Sequence, residues 1–212
     1  MGILHQGIFG GFSNKTGHTI GRRWRNKDVI TALYRRSNKP EKEGEIIQQN
    51  RFKMLTHFLS DVALLVEEGF KKFSKKRSAL NSAYAFNAPH AYLMEGEETV
   101  LNYPELKYSR GPVDTPDCPT LNAPAPGHIT FKWMMQDESM YCRSSDLASF
   151  LLYEPVGRLE MTIKDGAKRS DREFTCAIGT AHLGKPLHCY MNFTDKDGKL
   201  TGDSVYVGLY TP

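Results

Sequence analysis

From residue 41 onward the apolar positions fall at spacings of three and four. Ile46, Ile47, Phe52, Leu55, Phe58, Leu59, Val62, Leu65, Val66 and Phe70 recur in this way, which lines one face of an α-helix. The pattern predicts a long amphipathic helix from about residue 40 or 41 to 73, with Gly69 weakening its last turn, and a second short helix over 78–86. After residue 127 the period changes. Stretches 128–135, 148–153, 158–163, 172–178, 187–193 and 204–210 have strand-like composition, and turn signals such as Lys164-Asp165-Gly166 and Asp195-Lys196-Asp197-Gly198-Lys199 lie between them. Short strands so spaced favour an antiparallel β-sandwich of immunoglobulin or fibronectin type III kind, with Trp133 and Tyr190 suited to its core.

Ahead of the helix, 18–25 and 29–35 read as two small antiparallel strands joined at Asn26-Lys27-Asp28. The Gly-rich stretch before them, 7–17, reads as a flexible or tight-turn segment. It lacks the order of a phosphate-binding loop, which needs a buried strand before it and a helix after it. Prolines accumulate between about 87 and 125, where the helical period stops. The expected fold is thus α+β in three parts: a basic hairpin and helical module over 1–90, a Pro-rich connector over 91–126 that contributes a first strand, and an immunoglobulin-like sandwich over 127–212.

Composition is that of a globular chain, with 40% hydrophobic and 25% charged residues among 212. No apolar run approaches the roughly 20 residues that span a bilayer, so membrane insertion is not expected. The net charge of +4 hides an asymmetry: residues 1–80 carry 16 Lys and Arg against 7 Asp and Glu, and residues 81–212 carry 12 against 17. Residues 1–11 show no secretory signal, so synthesis in the cytoplasm is expected, with a virion as the final location if the chain is a particle component.

Catalytic and metal motifs are sparse. Cys118, Cys142, Cys176 and Cys189 form no CxxC pair, and the seven histidines show no metal-binding spacing. His188 and Cys189 are neighbours that point to opposite faces of a strand. Asp195-x-Asp197-Gly198 starts like a calcium loop, but no Glu stands at the twelfth position, so a hairpin turn is preferred. No cofactor is expected and no enzyme activity is predicted; an enzyme with His and carboxylate groups assembled only in space is the third choice.

The basic residues carry the most chemistry. Arg22, Arg23, Arg25, Lys27, Arg35 and Arg36 flank the hairpin with Trp24 and Tyr34, while Lys71, Lys72, Lys75, Lys76 and Arg77 follow the long helix. Cations interleaved with aromatics can neutralise phosphates and stack on bases. They also suit a solvated or protein-facing surface, and cations at a helix C-terminus complement its dipole.

Gln6-Gly7-Ile8-Phe9-Gly10-Gly11-Phe12-Ser13-Asn14-Lys15-Thr16-Gly17, then Ile20-Gly21 and Trp24, Gln48-Gln49-Asn50-Arg51-Phe52, Asn81 with Tyr84 to Asn87, and Ser204-Val205-Tyr206-Val207-Gly208 span nearly the full chain. In these features the sequence resembles an uncharacterised family of Bacteroidota proteins of about 200 residues, a domain of unknown function. Its N-terminal portion also resembles short phage-associated proteins with a Gly-rich basic hairpin before a helix. There the helix is preceded by an Asn-Pro-Arg-Thr motif, where this chain has Ser37-Asn38-Lys39-Pro40-Glu41. These resemblances imply no enzyme activity and point toward assembly components. The leading expectation is a non-enzymatic structural or adaptor protein of a macromolecular assembly, in its narrowest form a phage or phage-derived virion component, with other protein subunits and further copies of itself as partners. The alternative is a nucleic-acid-binding protein that uses the basic module.

Overall fold

The computed structural model describes residues 3–4, 10–24, 26–34, 40, 42–74 and 77–211. The chain forms two compact units, Met1–Lys42 and Glu43–Pro212. In the first, β1 (Ile3–Leu4), β2 (Phe12–Thr16), β3 (Thr19–Trp24) and β4 (Lys27–Ala32) make an antiparallel meander in chain order. Two-residue turns join the last three strands, since Thr16 pairs with Thr19 and Trp24 with Lys27. Each turn holds a left-handed residue, Gly17 at φ 57° and Asn26 at φ 60°, as the twist of a tight hairpin requires. Part of the Gly-rich segment, from Phe12, is therefore strand. The second turn is also tighter than the sequence suggested: Lys27 and Asp28 belong to β4. A Cβ at Gly21 would overlap the carbonyl oxygen of Phe12, so glycine lets β2 and β3 close on each other.

The second unit opens with α1 (Glu43–Asp61) and α2 (Ala63–Gly69). The expected single helix to residue 73 is broken at Val62, whose φ −98° and ψ 29° leave the helical range. Val62 N–H still donates to Phe58 O and Val66 N–H to Val62 O, so i to i−4 bonds continue on both sides of the break. α2 ends where Gly69 passes the backbone of Tyr108 and Ser109: a Cβ there would lie 2.5 Å from Ser109 Cα. A 3-10 turn, Lys71–Phe73, follows. Leu55, Phe58, Leu59, Val62, Leu65, Val66 and Phe70 are buried, whereas residues 43–50 are all exposed. The apolar stripe is core only from its middle onward. The short helix α3 (Ala79–Asn87) is capped by Ser78, whose hydroxyl accepts Asn81 N–H.

A hairpin of β5 (Tyr92–Glu95) and β6 (Glu98–Leu101) precedes seven further strands: β7 (Asp117–Asn122), β8 (His128–Met134), β9 (Leu147–Glu154), β10 (Leu159–Lys168), β11 (Glu173–Ala177), β12 (Leu187–Thr194) and β13 (Val205–Tyr210). They divide into a four-stranded sheet, β10-β9-β12-β13, and a three-stranded sheet, β11-β8-β7. The chain changes sheet after β8, β10 and β11, the Greek-key crossing pattern of an immunoglobulin-like sandwich. Lys164-Asp165-Gly166, read as a turn, is instead a bulge within β10. Asp165 is left-handed at φ 52°, and its N–H donates to Ser149 Oγ.

The four-stranded sheet is covered on both faces. Phe150 and Leu152 of β9, with Cys189, Met191 and Phe193 of β12, pack toward Ile129, Phe131 and Trp133 of β8. The alternate residues Leu151, Tyr153 and Tyr190 pack against Leu55, Phe58 and Leu59 of α1. Tyr190 is thus buried on the helix side, on the face opposite the sandwich core. Helix layer, central sheet and outer sheet form one three-layer α+β body with mostly antiparallel strands. Compactness divides the chain after Lys42, and the Pro-rich stretch carries the β5–β6 hairpin and β7.

Candidate functional site

The meander presents the first basic cluster. Arg22 and Trp24 lie two apart on one face of β3, with Arg23 on the other, opposite Asp28 of β4. Arg22, Arg23 and Lys27 are exposed, as are Trp24 at 56% and Tyr34 at 80%. Arg25, Arg35 and Arg36 lie outside the described residues. Residues 1–42 hold 9 Lys and Arg against 2 Asp and Glu, whereas residues 43–212 hold 19 against 22. The basic character of the protein therefore belongs to its smaller unit.

The second basic run is divided by the 3-10 turn. Lys71 and Lys72 line a cleft of about 360 Å³ together with Lys164, Lys196 and Lys199. Arg77 instead borders a shallow hollow with Arg110, whose guanidinium stands 4.9 Å from the Phe73 ring centre and 4.6 Å from that of Phe86. Lys75 and Lys76 lie outside the described residues. The sequence reading missed Arg110, Lys164, Lys196 and Lys199, which come from a loop, a bulge and a turn far along the chain and reach these places only through the fold.

Among the described residues no group of three or more His, Cys, Asp or Glu side chains could hold a metal ion, and His5 lies outside them. Cys142, Cys176 and Cys189 are buried thiols, and burial pushes Cys176 up to about 11 and Cys189 up to about 12. Such thiols stay protonated and weakly nucleophilic at neutral pH. Cys118 is exposed. Asp195 closes its turn on itself: its carboxylate accepts N–H groups of Lys199 and Leu200 at 2.6 and 2.8 Å.

His188 sits on the helix side of β12, stacked on Tyr103 at 3.9 Å and within 3.1 Å of the Tyr206 hydroxyl. Burial pushes its pKa down from 6.5 to about 4. Between those values the unfolded imidazole takes up a proton that the folded one refuses, so stability falls as pH drops from about 6.5 to about 4. Thermal midpoints measured across this window are expected to lose part of their pH slope in His188→Gln; an unchanged slope would place the titration elsewhere.

The sequence profile of a family of unknown function (DUF6266) matches residues 11–208. The chain belongs to this family. The DUF6266 match runs through both compact units, in keeping with the full-length resemblance to an uncharacterised family. No curated protein matches the chain. Among solved structures it is similar to the fn3 domain of human collagen alpha-1(XX) chain at 13% identity, covering 47% of this chain and 84% of that one with a TM-score of 0.34. Among the described residues no helix is long and apolar enough to cross a membrane.

Proposed function

We propose that the protein is a non-enzymatic adaptor of a macromolecular assembly, and that it self-associates by docking residues 1–42 of one copy on the acidic 43–212 body of another. The observation that carries this reading is the mismatch between the composition of the small unit and its core. Among its described residues only Gly21 is buried, while Trp24, Ile30 and Tyr34 are exposed at 56, 62 and 80%. A small sheet is stable when a hydrophobic face is covered, and β4 at its edge offers backbone groups for further pairing. Nine cations against two anions favour an acidic surface as the cover. The narrowest form of the proposal, a phage-type particle, rests on the resemblance of the N-terminal portion.

Light scattering on the full chain is expected to give a defined oligomer at low salt. Arg22→Glu/Arg23→Glu should weaken it by about tenfold or more. Removal of residues 1–42 should leave a folded monomer, since the body holds both hydrophobic cores. A full chain that stays monomeric at every salt concentration sinks the proposal. Nucleic acid that co-purifies with a monomer and is shed in salt would transfer the basic unit to the nucleic-acid reading.

A further inference from the structure

Beyond the meander, the 3-10 turn after α2 and the end of the central sheet enclose the cleft of about 360 Å³. Its polar floor is internally satisfied. The Tyr108 hydroxyl donates to Asn192 Oδ1 at 3.0 Å, and Asn192 Nδ2 donates to Thr201 Oγ1 at 3.2 Å. The rim carries Lys71, Lys72, Lys164, Lys196 and Lys199 together with Glu68, Asp165, Asp195 and Asp197.

Pairing sorts these charges. Lys164 Nζ meets Glu68 at 2.5 Å, and Asp195 is occupied by the N–H groups of its own turn. Four ammonium groups, those of Lys71, Lys72, Lys196 and Lys199, remain against the carboxylates of Asp165 and Asp197. Among the described residues these four carry no ion pair. The surplus is local, because residues 43–212 hold more Asp and Glu than Lys and Arg, 22 against 19. A body of that charge does not attract anions over its whole surface. With the N–H groups of Lys199 and Leu200 already used by Asp195, an anion would be held by side-chain ammonium groups, which bind phosphate as point charges. The volume lies near the lower end of ligand cavities.

We propose that this cleft binds a small polyanion, a compound with clustered phosphate or carboxylate oxygens, through Lys71, Lys72, Lys196 and Lys199. Calorimetric titration of the full chain at low ionic strength, with inorganic pyrophosphate in one arm and citrate in the other, tests it and separates the two chemistries. Saturable binding of either probe at one site per chain is expected. Lys71→Gln/Lys199→Gln should weaken it by about tenfold or more. Two controls should leave it unchanged: Lys132→Gln, which removes a lysine paired with Glu173 on the outer sheet, and Lys185→Gln, which removes a lysine 3.7 Å from Glu154. If the first double variant does not fold, as judged by its thermal midpoint, Lys72→Gln/Lys196→Gln replaces it. Absence of saturable binding in both arms, indifference to the cleft lysines, or equal weakening in the controls overturns the proposal.

Discussion

Replacing Arg169 by methionine is expected to cost about 3–5 kcal/mol of folding stability, the penalty for removing one partner of a buried ion pair. Arg169 is 1% exposed, and each of its guanidinium nitrogens is engaged: Nε with Asp146 at 3.2 Å, one terminal nitrogen with Gln136 Oε1 and the other with the Asp114 carbonyl, both at 2.7 Å. Its charge lies 3.8 Å from the centre of the Phe193 ring, and its own carbonyl accepts the Trp133 indole N–H at 2.8 Å. This side chain ties the segment before β7 and both ends of the β8–β9 loop to the end of β10. Without it, the Asp146 carboxylate stays buried with the backbone N–H of Arg143 as its remaining donor among these contacts. Urea unfolding at neutral pH reads the loss, and a change under about 1 kcal/mol would contradict the argument. Arg169→Met/Asp146→Leu should recover much of it, because an apolar pair of similar volume carries no desolvation penalty. The exposed Lys164–Glu68 pair is a useful contrast, with Lys164→Met expected to shift stability by no more than about 1 kcal/mol.

Where structure followed local physics, the sequence was readable. The alternation in 128–134 yields β8 with Ile129, Phe131 and Trp133 inward, and the short helix expected over 78–86 forms as Ala79–Asn87. The failures have tertiary causes. Neither Pro nor Gly stands at Val62, so nothing local announces the break between α1 and α2. Ile46, Ile47 and Phe52 continue the apolar period yet are 42–55% exposed, because the period specifies a face and not what covers it. Leu147–Glu154 is apolar on both alternating sets, which signals a strand covered twice, but the helices that cover it come from much earlier in the chain. The candidate sites show the same limit. A run of cations from Lys71 to Arg77 reads as one patch, and a single 3-10 turn sends its two ends to different neighbours.

The helix layer gives the second large effect. Phe58 is 1% exposed at the centre of that layer, edge-on to Tyr153 at 5.1 Å and to Tyr103 at 6.1 Å, and 6.3 Å from Tyr190. Phe58→Ala should remove about 3–5 kcal/mol through lost burial and the cavity left behind. For a body of this size that amounts to roughly 6–20 °C in the thermal midpoint. Phe52→Ala, at a position six residues earlier on α1, removes a ring already 55% exposed and should cost no more than about 1 kcal/mol. The sharper test is cooperativity. Because Tyr153 and Tyr190, two of the rings around Phe58, belong to β9 and β12, whose opposite faces form the sandwich core, helix and sandwich should unfold together. In a Trp24→Phe background, helical ellipticity and Trp133 fluorescence should therefore trace one transition, in both the parent and the Phe58→Ala variant. Separate transitions would mean that the helices fold apart from the sandwich, and the three-layer body would no longer stand as one cooperative unit.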